Sequence, residues 1–245
     1  MVRIYYCVYT FFLLLCITPI PAKSQEQSWP DLPLLTITTE GKVDPSFTVA
    51  NHPEGCACKS LMSEHIPGRL TITLKGDTLY DSGEYVKDVS GMRIKIRGNT
   101  TGVYSKQKPY KLKLSTKYDI LDFDSNHKSK DWALLPIRVW NVSMKSTESN
   151  IIPFTGFALC RALDFDWVPR IRFVNVILND KYKGLYNLTE TVERENNRVK
   201  TDKTGFLIEN DAYWWKEGEV WFKTNRQIES MGYTFKYPNA DKITS

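Results

Sequence analysis

Three stretches of the chain alternate strictly between apolar and polar side chains, and this alternation constrains the fold more than any other feature. They cover residues 68–75, 92–97 and 110–115. Successive side chains of a β-strand point to opposite faces of its sheet. A period of two therefore predicts strands with one face in a core and the other in solvent. The turn at Gly76-Asp77 after the first stretch favours antiparallel neighbours.

The rest of the chain continues this β-rich pattern and adds one helix. Apolar or β-branched runs predict further strands at residues 34–39, 131–136, 171–178, 184–192, 206–209, 218–222 and 234–237. Asn179-Asp180 has the composition of a hairpin turn. Helical spacing predicts a helix over residues 148–163, with Pro153 in its first turn, where a proline is tolerated. Together these elements predict an α+β domain with many antiparallel strands and one central helix.

Residues 1–24 have the features of a secretory signal peptide. Arg3 precedes an apolar run over residues 4–17, which is shorter than the roughly 20 residues that span a bilayer. Two prolines then interrupt the run, and Ala22-Lys23-Ser24 supplies the small residues of a cleavage site.

Two alternatives remain for this segment, an uncleaved anchor and a lipoprotein modified at Cys16. The signal peptide predicts a secreted or cell-envelope protein, in the periplasm or at the cell surface. Residues 25–33 are polar and contain proline, as expected of a linker, and residues 34–245 form the domain. No transmembrane segment is expected after cleavage.

Charge and cysteine content exclude several classes of protein. The formal net charge is +5, and removal of Arg3 and Lys23 with the signal peptide lowers it to +3. So small a charge does not indicate nucleic acid as a partner. Cys56, Cys58 and Cys160 remain after cleavage, and an odd number cannot form a complete disulfide framework. No second ligand pair accompanies the Cys-Ala-Cys segment, so no metal site is predicted.

Five motifs occur in an order that is similar to that of a known family. They are Arg97-Gly-Asn-Thr-Thr-Gly102, Lys108-Pro-Tyr-Lys-Leu-Lys-Leu114, Asp131-Trp-Ala-Leu-Leu, a hairpin that follows Trp167-Val-Pro-Arg170, and Leu188-Thr-Glu190. This series resembles the CotH family, which contains exported proteins related to spore-coat protein H. The resemblance covers roughly residues 34–240.

The resemblance implies a fold and an activity. The implied fold is the antiparallel β-rich, kinase-like N-terminal lobe of an atypical protein kinase. The implied activity transfers phosphate from ATP, with Mg²⁺, to serine or threonine of an unidentified protein substrate. Such chemistry needs donors that hold phosphate, a cation that offsets its charge and carboxylates that hold the metal. The nucleotide-binding candidates are Arg97, Asn99, Thr100, Lys111, Lys113 and Glu190.

Each candidate has an assigned role and a simpler alternative. The turn that follows Arg97 could present backbone N–H groups to phosphate, or it could be an ordinary hairpin turn. Lys111 or Lys113 could reach a nucleotide phosphate, with Lys111 preferred, or both could lie on a solvated strand face. Glu190 could orient such a lysine through an ion pair, or it could be a surface acid.

Two departures from the family pattern limit the expected activity. Ser149-Asn150 stands where the family has an Arg-Asn pair. The sequence also stops soon after Tyr237-Pro238, before the helices that carry the family's catalytic and metal-binding aspartates. We therefore expect a fragment that is truncated at its C-terminal side, without a catalytic lobe, and no catalytic residue is predicted. Little or no phosphate transfer is expected from it alone.

The alternative function is that of a non-catalytic binding or structural module of the cell envelope. Tyr213, Trp214, Trp215 and Trp221 lie within nine residues. If exposed, these rings could stack on sugars or contact a protein partner, whereas if buried they would pack a core.

Overall fold

The computed structural model describes residues 31–51, 59–123, 125–137, 152–215, 220–223, 232–238 and 243. The described residues form thirteen strands, which are β1 Leu34–Thr39, β2 Thr48–Asn51, β3 Lys59–Met62, β4 Ile66–Leu74, β5 Asp77–Asp81, β6 Met92–Ile96, β7 Tyr110–Tyr118, β8 Ser129–Pro136, β9 Ile171–Leu178, β10 Lys181–Glu190, β11 Leu207–Asp211, β12 Trp221–Phe222 and β13 Gly232–Tyr237. They also contain helices α1 Thr100–Tyr104 and α2 Ile152–Ala162 and two short 3₁₀ turns, Glu40–Lys42 and Ser125–His127.

Seven of these strands close into a barrel. The order around it is β1-β9-β10-β8-β7-β6-β4, and β4 pairs with β1 to complete the ring, while β5 extends the sheet from β4. All neighbours are antiparallel except β1 and β9, which are parallel. The turn between β9 and β10 is the predicted one, with positive φ at both Asn179 and Asp180, as a two-residue hairpin of the primed type requires.

Alternate side chains of the closing strands fill the barrel. The pattern buried–intermediate repeats through β1 and β6. The core consists mainly of aliphatic residues, with Trp132, Tyr110 and Tyr186 among them. Complete burial of one such side chain contributes about 1.5–3 kcal/mol relative to its exposed state. The predicted strands at 68–75, 92–97 and 110–115 are confirmed, because alternation places one face of each in this core.

The predicted kinase-like lobe with one central helix is wrong. The sheet closes on itself, so its own side chains occupy the centre and leave no place for a helix there. Helix α2 lies outside the barrel, where Phe154 stacks on Phe173 of β9 with ring centroids 4.4 Å apart. None of its described side chains is buried. Leu159 is 58% exposed, whereas a central helix would bury an apolar stripe.

A small sheet of β11, β13 and β12 lies next to the barrel. A 3.1 Å hydrogen bond between the hydroxyls of Thr100 and Tyr213 connects it to α1. Trp214 is buried against Gly232, where an added Cβ would lie 2.4 Å from Trp214 Cγ. The aromatic cluster is therefore only partly exposed: Trp214 is buried, whereas Trp221, whose ring centroid lies 4.2 Å from that of Trp214, is 45% exposed.

Several predictions concern residues outside the described part of the chain. These are the signal peptide, the start of the linker, Cys56, Cys58 and the Ser149-Asn150 pair. Among the described residues, no helix combines the length and the apolar character that crossing a membrane requires.

Candidate functional site

The outward side chains of β6 and β7 form a surface that we call the basic face. It consists of Arg93, Lys95, Arg97, Lys111 and Lys113. The inward neighbours of these residues belong to the core, so alternation directs the charged residues outward. Register places Arg93 directly opposite Lys113 and Lys95 opposite Lys111. The basic face therefore contains two cross-strand pairs of like charge.

Like charges directly opposite each other on adjacent strands destabilise a sheet. Two carboxylates offset part of this repulsion, because Lys111 Nζ lies 2.9 Å from Asp131 Oδ1 and 3.6 Å from Glu193 Oε1. Within the described part of the chain, neither Arg93 nor Lys113 has an ion-pair partner. The positive charge of the basic face is thus only partly compensated by the protein itself.

His65 lies beside the basic face, immediately before β4, whose Pro67 pairs with Arg93. Burial, followed by the positive charges of Lys95, Arg93, Lys111 and Lys113, lowers the pKa of this imidazole to about 4. His65 is therefore neutral near pH 7. Its Nε2 is closed off from solvent and has no hydrogen-bond partner among the described residues.

Arg97 follows directly after β6 and is a largely enclosed cation of the basic face. Its backbone N–H donates to the Pro109 carbonyl at 3.0 Å, which continues the pairing with β7. Burial lowers the pKa of the guanidinium, and the negative charge of Glu209 on β11 partly opposes this effect. No acceptor for the guanidinium occurs in the ranges that the structure describes. Leaving a buried charge without hydrogen bonds is costly, so this group is suited to an external anion.

The predicted phosphate-holding turn is the short helix α1. Two amides towards its C-terminal end are used internally, since Val103 N–H donates to Asn99 O and Ser105 N–H to Thr101 O. The Asn99 side chain accepts a 3.1 Å hydrogen bond from Leu61 N–H of β3, which fixes the helix start to that strand. Thr100 contacts Tyr213. Asn99 and Thr100 therefore hold the wall next to Arg97.

Lys108, in the second sequence motif, closes the other end of α1. Its Nζ donates to the carbonyls of Gly102 and Val103 at 2.9 and 3.1 Å. Burial lowers the pKa of this lysine. Lys108 therefore stabilises the helix end, a role that the sequence analysis did not assign.

Glu190 does not lie on the basic face. It follows Tyr186 and Leu188 on the inward side of β10, and its carboxylate accepts from Arg170 rather than from a lysine. The predicted ion pair between Glu190 and Lys111 or Lys113 is therefore wrong. The pairs that form instead join Glu190 to Arg170 and Lys111 to Asp131.

Glu190 belongs to a group that we call the arginine–carboxylate network. Its members are Arg170, Arg172, Asp119, Asp122 and Glu190. Arg170 binds Asp119 through both terminal nitrogens, at 2.8 and 3.1 Å, and it binds Glu190 through Nε and Nη2, at 3.0 and 2.9 Å. Asp122 accepts from Arg170 at 3.0 Å and from Arg172 at 2.8 Å. The side chains of Asp119 and Glu190 are 0% and 1% exposed.

The structure thus brings together three of the six predicted residues, Arg97, Lys111 and Lys113. Alternation over residues 92–97 predicts that Arg93 and Lys95 lie on the polar side of their strand, but no role was predicted for them. His65 was not predicted as a site residue, because a single histidine before a strand has no distinctive spacing. In the described ranges, no group of three or more His, Cys, Asp or Glu side chains could hold a metal ion.

A family model described as CotH kinase protein matches residues 94–242, which is more than half of the chain. The matched range begins within β6 and extends beyond β13, so it contains most of the basic face, the whole arginine–carboxylate network and the small sheet. No curated protein matches the chain.

Proposed function

The chain belongs to the CotH kinase protein family, and on this basis we propose that it binds ATP through its phosphate groups on the basic face. The observation that supports this proposal most directly is the state of Arg97. Its guanidinium is substantially buried, yet it has no acceptor among the described residues. A phosphate group would supply acceptor oxygens in the paired geometry that guanidinium groups bind best.

The spacing of the basic face suits a chain of phosphates. Side chains two residues apart on one strand are separated by about 6.6 Å, and adjacent strands by about 4.8 Å. Three cations therefore form a triangle on the basic face: Lys111 is opposite Lys95 and diagonal to Arg97. Arg97 is the proposed principal contact, and the triangle offers the remaining phosphates further donors.

The other predicted residues receive supporting or separate roles. Lys113 adds charge further along the face, whereas Lys111 shares its charge with Asp131 and Glu193. Thr100 and Asn99 hold the wall of the site through their bonds to Tyr213 and Leu61. Glu190 makes no contact with the proposed ligand.

Phosphate transfer to a protein substrate is the reaction that the family assignment favours. Cations that hold ATP would also offset the charge that develops on the transferring phosphoryl group. Mg²⁺ in such sites is bound largely by the nucleotide phosphates and water, with one or two carboxylates. The described residues contain no metal-binding group of three or more ligands, so no residue is assigned to Mg²⁺ and none to the transfer step.

ATP binding can be tested by titration calorimetry on the purified protein, with Mg²⁺ present. We expect Arg97→Met to weaken binding by about tenfold or more, since a charge-assisted pair with phosphate is lost. Lys113→Met should weaken it by several-fold. Lys117→Met is the matched control, because Lys117 lies on the same strand but pairs with Glu195. Folded protein that does not bind ATP, or equal affinities for all three variants, would contradict the proposal.

Export from the cytoplasm is a second part of the proposal, and residues 1–24 support it. Residues 1–33 fused to alkaline phosphatase should give activity outside the cytoplasm. Replacing Leu13, Leu14 and Leu15 with Asp in the same fusion should abolish it, because the apolar run is interrupted. Equal activity from both fusions would contradict the assignment.

A further inference from the structure

His65 is a titratable side chain beside the basic face that has no role so far. It precedes β4, next to β6 in the barrel. Its Nε2 is buried and has no hydrogen-bond partner in the described part of the molecule. Buried polar atoms are paired in most proteins, so an unpaired one calls for a reason such as a ligand.

The strongest charges that act on this imidazole are positive, and its acidic chain neighbour Glu64 is exposed to solvent. The positive charges belong to Lys95 and Arg93 from β6 and Lys111 and Lys113 from β7. No carboxylate is among these groups, although Asp131 and Glu193 lie next to Lys111. The free protein therefore keeps His65 neutral near pH 7, and an added negative charge would raise its pKa and favour its protonated form.

We propose that His65 is a proton-coupled contact of the phosphate site: when a polyphosphate binds, the half-buried ring takes up a proton and turns, and its Nε2–H then donates to a phosphate oxygen. This inference rests on the proposed function, since it assumes that the basic face binds phosphates. Binding of the polyphosphate thus adds a positive charge to the imidazole and gives Nε2 a hydrogen-bond partner. The same anion that neutralises the four cations also removes the repulsion that keeps the imidazole neutral.

Linkage fixes the sign of the pH effect. The bound form holds its proton up to a higher pH than the free form, so between these two values binding takes up a proton. Affinity for polyphosphate therefore rises as pH falls within that interval. Proton uptake and binding reinforce each other reciprocally.

The experiment measures proton uptake and affinity together. ATP is titrated calorimetrically at pH 5.5 and 7.5, in buffers of different ionisation enthalpy, into the unmodified protein, His65→Gln and the control His127→Gln. Protonation of the ATP phosphates themselves is common to all three, so the difference between proteins reports His65. NMR titration of the His65 imidazole, with and without ATP, gives an independent readout.

The expected result is extra proton uptake at pH 5.5 by the unmodified protein and by His127→Gln. Relative to His65→Gln, their affinity should rise by about threefold or more between pH 7.5 and 5.5. The NMR pKa of His65 should rise when ATP is added. ATP binding with identical proton uptake in all three proteins would overturn the inference and leave the proposed function intact.

Inorganic tripolyphosphate separates the two proposals further. If it binds with proton uptake through His65 but ATP does not bind, the role of His65 is supported and nucleotide binding is contradicted. If neither compound binds to protein whose folding is verified by circular dichroism, both proposals are overturned.

Discussion

Arg97 on the basic face and Arg170 in the arginine–carboxylate network are both partly buried, but their surroundings are opposite. Burial lowers the pKa of each guanidinium. For Arg170, hydrogen bonds and charge from Asp119 and Glu190 exceed that effect and raise the pKa. For Arg97, the charge of Glu209 only partly opposes burial, and the pKa remains lowered. The protein compensates Arg170 itself and leaves Arg97 to be compensated from outside.

This difference distinguishes a charge that stabilises the fold from a charge that is available to a ligand. In the network, the donors of Arg170 are already paired with carboxylate oxygens within 3.1 Å. A compensated group of this kind fixes the start of β9 to the end of β10. An under-compensated cation carries a cost in the free protein that an anionic ligand can remove. Removing charge should therefore harm stability in the network and ligand affinity on the basic face.

The largest expected effect is that of Arg170→Met. The substitution leaves the buried carboxylates of Asp119 and Glu190 without their cation, and breaking such a pair costs about 3–5 kcal/mol of unfolding free energy. Arg172→Met is the matched control, because its pair with the half-exposed Asp122 is worth at most about 1 kcal/mol. Urea unfolding of both variants measures the difference. Equal losses would mean that the network is no more structural than a surface ion pair.

The second effect concerns pH and His65. The unfolded histidine has its ordinary pKa of 6.5, and the folded one has a pKa of about 4, so the unfolded chain binds more protons between these values. Stability is unaffected above pH 6.5 and falls as pH decreases towards 4. Because the imidazole is only half-buried, the loss should be on the order of 1 kcal/mol. His65→Gln should remove this part of the pH dependence in thermal unfolding at several pH values.

The sequence predicts the strands of the barrel well but not its closure. Alternation is a local property, so residues 92–97 and 110–115 show it whatever strand they pair with. Closure depends on β1, which pairs with β4 and, in parallel, with β9, more than 130 residues away in sequence. No local pattern encodes that choice. The sequence predicted which part of the chain forms helix α2, but the position of this helix outside the barrel depends on the same closure.

The candidate site shows the same limit. Alternation predicted that Arg97, Lys111 and Lys113 lie on the polar sides of their strands, and the structure places all three on the basic face. Partner choice was not predictable: Glu190 was expected to pair with a lysine, yet register places it on the inward side of β10, within reach of Arg170. A carboxylate can pair with any nearby cation, so only the three-dimensional arrangement selects which one. His65 likewise acquires its surroundings from two strands that follow it in sequence.

The smallest expected effect on stability is that of Arg93→Glu, which would give the basic face a compensated charge pair like those of the arginine–carboxylate network. Arg93 lies opposite Lys113 on β7 and Pro67 on β4, so Arg93→Glu replaces a like-charge pair with an opposite-charge pair and places no acid opposite the new one. We expect unfolding free energy to rise by about 0.2–1 kcal/mol. Arg93→Gln, which removes the repulsion without adding attraction, should give an intermediate value. ATP affinity should fall in both, most in Arg93→Glu, and the NMR pKa of His65 should rise, since one of the charges that lower it is gone. If Arg93→Glu instead lost stability, the repulsion between Arg93 and Lys113 would already be compensated in the free protein, and the basic face would resemble the network.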